Sequence, residues 1–292
     1  MNTPKNLALD ASLRLPAEQF KRSMVIALAI STVTLSGCSD DADFGLIDFE
    51  PTVDYTRSVQ LIAVTTELAS GLGDVVTHEE AALAIKTTIE TELPCASVAV
   101  SGTTVTVEYG ANGSCALHGI TLQGTHAMTL KAKEHAPDTG ALIIDHAWTN
   151  VSDGRTSISG TGWMLRSSTK QFRTVEFFLH ADPSSAGDAG RWVFSTTTDP
   201  QVLALNGTAA WGENSGTTCT TNDAEIRWGD PAPQVGTYVL SLPDTSGRGG
   251  SSDRTILFER IDDTTIEAKV LGYSNPPDAF HIAQDGTYIR VQ

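Results

Sequence analysis

Histidine is the residue type in this chain best suited to metal binding or proton transfer. There are seven histidines, and His126 and His146 each share the face of a predicted strand with apolar residues. Glu176 and His180 lie on one face of another predicted strand. Such side chains could converge as metal ligands, but buried histidines are more often satisfied by local hydrogen bonds. We therefore predict no metal site and no cofactor.

Motifs for hydrolytic chemistry are absent from the sequence. The zinc-protease pattern H-E-x-x-H begins at His78 and Glu79 but has Ala82 in place of the second histidine. The nucleophile motif G-x-S-x-G does not occur. A carboxylate pair for glycoside hydrolysis stays open, because two such acids can be far apart in sequence. We therefore predict no specific catalytic residue.

Tryptophan offers a different kind of site, because indole rings can stack on sugars. Aromatic side chains of β proteins usually lie in the core, however, and we expect most of these rings to be structural. The five tryptophans are Trp148, Trp163, Trp192, Trp211 and Trp228.

The N-terminal residues have the layout of a secretory signal peptide. Lys21 and Arg22 precede an apolar run, residues 24–35, and small residues follow it. The run has about 12 residues, whereas a transmembrane helix needs about 20. We therefore predict that residues 1–37 are a cleaved signal and not a permanent span.

The end of this segment, Leu35-Ser36-Gly37-Cys38, resembles the lipobox of bacterial lipoproteins. The resemblance extends only as far as Cys38. It implies cleavage before Cys38 and attachment of lipid to its thiol, with several acyl chains that hold the protein on a bilayer. In enteric lipoproteins an aspartate after the lipidated cysteine causes retention at the inner membrane, so Ser39 favours the outer membrane.

The other cysteines suggest a disulfide bond. Cys95 and Cys115 flank a predicted hairpin of residues 97–101 and 105–109, which would bring the two thiols together. An exported protein meets an oxidising compartment. We predict a Cys95–Cys115 disulfide with Cys219 buried or unpaired, while three ordinary buried cysteines remain the alternative.

An acidic segment precedes two predicted helices. Residues 38–56 contain five aspartates, one glutamate and no basic residue, which indicates a solvated tether. Residues 57–93 have helical spacing. Thr77 and Glu80 have the spacing of a capping box at the start of the second helix, and Pro94 follows its end.

Residues 95–292 change to the two-residue alternation of β-strands. Turn motifs such as Asp153-Gly154 and Asp285-Gly286 separate the runs, so neighbouring strands should pair antiparallel. We predict a mainly β fold, an antiparallel β-meander of about ten or eleven strands with a short N-terminal helical segment. The meander would form a curved sheet, sandwich or barrel, and residues 57–292 would form a single globular domain.

A short pattern, apolar-x-Gly-Thr, recurs within the predicted strands. It places glycine at Gly124, Gly160 and Gly207. Glycine inside a strand permits a bend or the close packing of a neighbouring strand. We interpret the pattern as equivalent bends in the meander.

Composition narrows the possible functions. The chain has 292 residues, 40% of them hydrophobic, and a formal net charge of −16. The hydrophobic content excludes wholesale disorder, and the acidic excess argues against nucleic acid as a partner. We predict a lipid-anchored cell-envelope lipoprotein with a non-catalytic binding or structural β domain, whose partner is an envelope glycan or protein. The alternative is an envelope hydrolase that acts on glycans through a carboxylate pair.

Overall fold

The computed structural model describes residues 50–70, 72, 77–111, 113–132, 142–165, 172–180, 188–211, 217–242, 252–271 and 276–291. These residues belong to one unit, Ile47–Gln292. The predictions for the signal peptide, for Cys38 and Ser39, and for the first part of the tether lie outside the described residues.

Helices come first in the chain, and strands follow. The helices are α1, Glu50–Glu67, and α2, His78–Glu92. The strands of the described residues are β1 Ser97–Ser101, β2 Thr104–Tyr109, β3 Cys115–Leu117, β4 Ile120–Ala132, β5 Leu142–Ser152, β6 Ser157–Leu165, β7 Phe172–His180, β8 Asp188–Thr196, β9 Val202–Trp211, β10 Thr217–Arg227, β11 Val235–Leu242, β12 Ser252–Arg260, β13 Thr265–Leu271, β14 Asp278–Ala283 and β15 Tyr288–Arg290.

The strands form a single antiparallel sheet. They pair in chain order from β1 to β15, except that β2 pairs directly with β4 while β3 pairs with the first residues of β4. The predicted mainly β meander is confirmed, in the form of one curved sheet. The predicted number of ten or eleven strands was too low, since the described residues form fifteen; two of the missed strands, β3 and β15, have three residues each and are too short to show a two-residue period.

Helix α1 begins within the segment predicted to be a solvated tether. The helix starts at Glu50, and Val53, Tyr55 and Thr56 are buried. Of the acidic residues that suggested a tether, Asp54 does face solvent. The tether prediction is therefore wrong for residues 50–56. A helix can carry an exposed acid such as Asp54 while its other faces are covered, so acidic residues did not by themselves exclude a helix.

Helix α2 confirms the predicted capping box. The Glu80 amide donates to Thr77 Oγ1 at 3.1 Å, and the Thr77 amide donates to the Glu80 carboxylate at 2.9 Å. The helix ends at Glu92, just before Pro94. Its buried face, which includes Ile85 and Ile89, packs on β1, β2 and β4.

The sheet curves around α1 and covers most of its surface. Trp148 of β5, Arg173 of β7 and Tyr238 of β11 all donate to or share hydrogen bonds with the helix. The Trp192 ring of β8 packs edge-on against Tyr55, with ring centroids 5.6 Å apart. Because these strands are separated by others in the sheet, their inner faces can reach one helix only if the sheet is strongly curved.

The recurrent glycines lie at points where the strands depart from regular geometry. Gly124, Gly160 and Gly207 all have positive φ. A Cβ atom at Gly124 would lie 2.1 Å from the Asn150 carbonyl oxygen, and the other two glycines approach neighbouring backbone oxygens within 2.2 Å of a Cβ position. The β4–β5 register shifts beside Gly124, which marks a β-bulge. Each glycine therefore allows a strand to bend against its neighbour.

We predict that Gly124→Ala destabilises the protein far more than Gly102→Ala. Both glycines have positive φ, +94° and +58°, but a Cβ atom at Gly102 would meet no atom within 4 Å. Both variants carry the backbone strain of alanine at positive φ, about 1–2 kcal/mol. Only Gly124→Ala adds the collision with Asn150, which we expect to cost about 1–3 kcal/mol more. Urea unfolding measures the difference, and equal losses would contradict a steric role for Gly124.

Candidate functional site

The structure brings His126 and His146 together in the interior. They lie on adjacent strands, and His126 Nε2 is 2.9 Å from His146 Nδ1. The Tyr109 hydroxyl lies 3.2 Å from His126 Nδ1 and extends the chain of hydrogen bonds to β2. Both histidines are at most 1% exposed. The sequence placed each of them on an apolar strand face, and their direct contact follows from the pairing of β4 with β5.

Trp148 completes this group and connects it to α1. Its ring stacks on His126 and His146, with centroid distances of 5.6 and 5.5 Å. Its indole nitrogen donates to Thr65 Oγ1 at 3.0 Å. Gly162 makes room for the indole, since a Cβ atom there would lie 3.0 Å from the ring. The group Tyr109, His126, His146 and Trp148 is named the histidine cluster below.

One nitrogen of the histidine cluster has no partner. His146 Nε2 is buried without a hydrogen bond among the described residues. If the Tyr109 hydroxyl donates to His126 Nδ1, His126 Nε2 carries the proton and donates to His146 Nδ1. His146 then holds its own proton on the unpartnered Nε2. A buried N–H without an acceptor costs about 1–3 kcal/mol.

Burial keeps both histidines neutral. It lowers the pKa of His146 to about 3. It also lowers the pKa of His126 well below its usual value, and the neighbouring His146 lowers it further. The two neutral rings share one hydrogen bond, and no group of three potential metal ligands occurs among the described residues.

The second predicted pair does not join the histidine cluster. Glu176 lies in register with Trp163 and, through it, with Asp145, on the face of the sheet opposite His146. Its carboxylate pairs with Arg191 at 3.7 Å. The side chain of His180 lies outside the described residues. Sharing a strand face was therefore not enough to bring these residues to the histidines.

The predicted disulfide joins Cys95 and Cys115, whose Cα atoms are 5.4 Å apart. It links the chain before β1 to β3, across the β1–β2 hairpin. A closed loop of this size contributes about 3 kcal/mol of stability in the chain-entropy description. Cys219 is free and buried, as expected, and burial raises the pKa of its thiol to about 11.

The tryptophans do not form a common platform. Trp148 and Trp192 are buried in the core. Trp163 lies on the opposite face of the sheet from Trp148, and Trp228 stacks on His118 at 4.8 Å. The side chain of Trp211 lies outside the described residues. The rings that can be placed are mostly structural, as the sequence suggested.

A polar cleft of about 190 Å³ lies against one side of α1. Arg57 and Gln60 of α1 line it, together with Asp153 and Arg155 from the β5–β6 turn and Gln284 from the β14–β15 turn. Asp153 is the one acidic side chain among the described residues that line it. Turns from distant parts of the sheet meet at this cleft because the sheet wraps around the helix.

Gln60 lines this cleft and joins α1 to the β10–β11 loop. Its amide nitrogen donates to the Asp230 carbonyl oxygen at 2.6 Å, and its amide oxygen accepts from the Gly229 N–H at 2.8 Å. The Asp230 carboxylate accepts hydrogen bonds from Arg260 and Gln284. Burial raises the pKa of Asp230, although the charge of Arg260 opposes the effect.

Sequence reasoning missed the residues of this cleft. Arg57 was placed at the start of a helical segment, and Arg155 directly follows the predicted Asp153-Gly154 turn. Neither position has a motif that indicates a site. Only the contact of that turn with α1 and with the β14–β15 turn brings the two arginines together.

Comparisons with known proteins identify no relative of this chain. No protein-family model matches the chain, and neither a curated protein nor a solved structure matches it. Within the described residues, neither α1 nor α2 has the length and apolar character that crossing a membrane requires.

We predict that the histidine cluster makes the folded state sensitive to acid. Folding lowers the pKa of both histidines from 6.5, to about 3 for His146. Between these values the unfolded chain binds more protons than the folded protein, so stability should fall as the pH decreases below 6.5. The loss is at most about 1.4 kcal/mol per pH unit for each histidine.

His146→Gln tests this prediction, because glutamine can keep a hydrogen bond to His126 and does not titrate. Urea unfolding between pH 4.5 and 7.5 should show a smaller loss of stability at low pH in this variant than in the wild type. His281→Gln, which removes a half-buried histidine beside Glu267, is the matched control. An unchanged pH dependence in His146→Gln would show that the cluster is not responsible.

Proposed function

We propose that this chain is a lipid-anchored lipoprotein of the bacterial cell envelope, with a β body that serves in non-catalytic binding or structure. Lipid on Cys38 holds the protein on a membrane, and Ser39 favours the outer membrane. The partner of the β body is an envelope glycan or protein.

Export is supported by two independent features of the chain. The basic, apolar and small residues before Cys38 have the order of a signal peptide that ends in a lipobox. The Cys95–Cys115 disulfide is typical of proteins that fold in an oxidising compartment. Neither feature is expected of a cytosolic protein, because signal peptides direct export and disulfides are rare in the reducing cytosol.

The non-catalytic role rests on one observation: α1 occupies the concave face of the sheet. In β-barrels ligands bind preferentially at the mouth, in a cavity that buries most of the ligand, and the concave face is the corresponding place in a curved sheet. Here Leu61, Ile62, Ala63 and Val64 of α1 are at most 1% exposed and fill this space. The polar cleft outside it contains Asp153 without a second carboxylate in its described lining, and this is unfavourable for glycoside hydrolysis.

Cys38→Ser tests the lipid anchor in a Gram-negative host that processes lipoproteins. We expect the wild-type chain in the membrane fraction, labelled by supplied palmitate, and the Cys38→Ser variant unlabelled and in the soluble fraction. Loss of the acyl chains removes about 0.8 kcal/mol of membrane affinity per buried CH₂ group.

Ser39→Ala is the matched control, because it changes the adjacent residue and keeps the thiol of Cys38. It should remain labelled and bound to the membrane. Continued membrane retention of Cys38→Ser, or absence of label from the wild type, would refute the lipoprotein proposal.

A further inference from the structure

Arg57 and Arg155 are unusual among the cations of this acidic protein. The chain has 35 acidic residues against 19 basic ones, and most described basic side chains have an acidic partner. Neither Arg57 nor Arg155 has a carboxylate of a described residue within 4.0 Å. Residues with such a partner include Lys86, Lys131, Arg173, Arg191, Arg227, Arg260, Lys269 and Arg290.

The two guanidinium groups are held at the same point of the polar cleft. Arg57 Nη2 donates to the Asp285 carbonyl oxygen at 3.1 Å, and Arg155 Nη1 donates to the same oxygen. Each guanidinium has five N–H donors, so most donors of both groups remain available. Their shared contact fixes the positions of the two side chains without neutralising their charges.

Other polar groups of the cleft are already occupied. Both ends of the Gln60 amide are bonded to the β10–β11 loop, and Gln284 donates to Asp230. Asp153 Oδ1 accepts from the backbone N–H groups of Arg155 and Thr156, which closes its turn. The two arginines therefore supply most of the free donors of the cleft, while the second carboxylate oxygen of Asp153 remains as an acceptor.

The energetics of the pair favour an anionic ligand. Burial lowers the pKa of Arg57, and the positive charge of Arg155 lowers it further. The carboxylates of Asp54, Asp153 and Asp285 raise this pKa, but each lies more than 4.0 Å from the Arg57 guanidinium nitrogens. An anion between the two guanidinium groups would supply the close negative charge that both lack, in hydrogen bonds stronger than those between neutral groups.

We propose that Arg57 and Arg155 bind an oxyanion, the carboxylate or phosphate group of a small ligand, in the polar cleft beside α1. The planar fork of arginine matches both groups, and the cleft of about 190 Å³ accommodates a small ligand. This site specifies the class of ligand for the binding role proposed above. Only the origin of the ligand in the cell envelope rests on that proposed function, because binding by the two arginines does not require lipid on Cys38.

Calorimetric titration of the purified full chain tests the site, with inorganic phosphate and acetate as separate probes at constant ionic strength. We expect saturable binding of at least one probe. The wild type in detergent and the Cys38→Ser variant should bind equally, which separates this site from the lipid anchor. The probe that binds more tightly identifies the group preferred, and the absence of binding by both would overturn the proposal.

Arg155→Gln should weaken binding of that probe at least tenfold, because it removes a charged donor that is exposed and whose loss should not disturb folding. Arg191→Gln is the matched control: it removes the same charge from the outer face of β8, where Arg191 pairs with Glu176. Equal weakening by both variants would show attraction by overall charge and would refute the site.

Asp153→Asn provides a test in the opposite direction. Asparagine keeps the side-chain oxygen that closes the turn and removes the one negative charge of the described lining. We expect binding to become several times tighter with the fold unchanged, as judged by the circular dichroism spectrum. Unchanged or weaker binding in this variant would contradict an anion held between Arg57 and Arg155.

Discussion

The enclosure of α1 is the constraint on which the rest of the structure depends. A helix covered on most sides must satisfy every polar side chain that it buries. Three threonines of α1 do so locally: Thr56, Thr65 and Thr66 donate to carbonyl oxygens of the preceding turn, at distances from 2.7 to 2.9 Å. Gln60 is satisfied by the β10–β11 loop. The helix can therefore act as core although its sequence is not uniformly apolar.

A sheet that wraps a helix must bend sharply, and the backbone shows where it does. Positive φ angles occur at recurrent glycines and also at Asn150 and Asp223, two residue types that tolerate this conformation. Register shifts next to Gly124, Asn150 and Asp223 place β-bulges at these points. The bends bring turns of β5–β6 and β14–β15 to one side of α1, and this meeting forms the polar cleft.

Burial and exposure divide the possible chemistry of the molecule into two kinds. The histidine cluster is inside, neutral and sealed by Trp148, so it bears on stability and acid sensitivity more than on a ligand. At the other extreme, Arg155 is exposed and Arg57 is half-buried, so both can reach solutes. At the C-terminal end of α1, Arg173 contacts the Ala63 carbonyl oxygen and the Glu67 carboxylate. The negative end of the helix dipole stabilises a positive charge at this position.

The sequence by itself determined the local features. The capping box at Thr77, the antiparallel order of strands, the bends at the glycines and the Cys95–Cys115 pairing all depend on residues close together in the chain or on a fixed period. The burial of residues 50–56, the contact of His126 with His146 and the meeting of Arg57 with Arg155 depend on strand register and on the curvature of the whole sheet. Only the tertiary structure could decide these, because the same residues would face water if the sheet did not curve around α1.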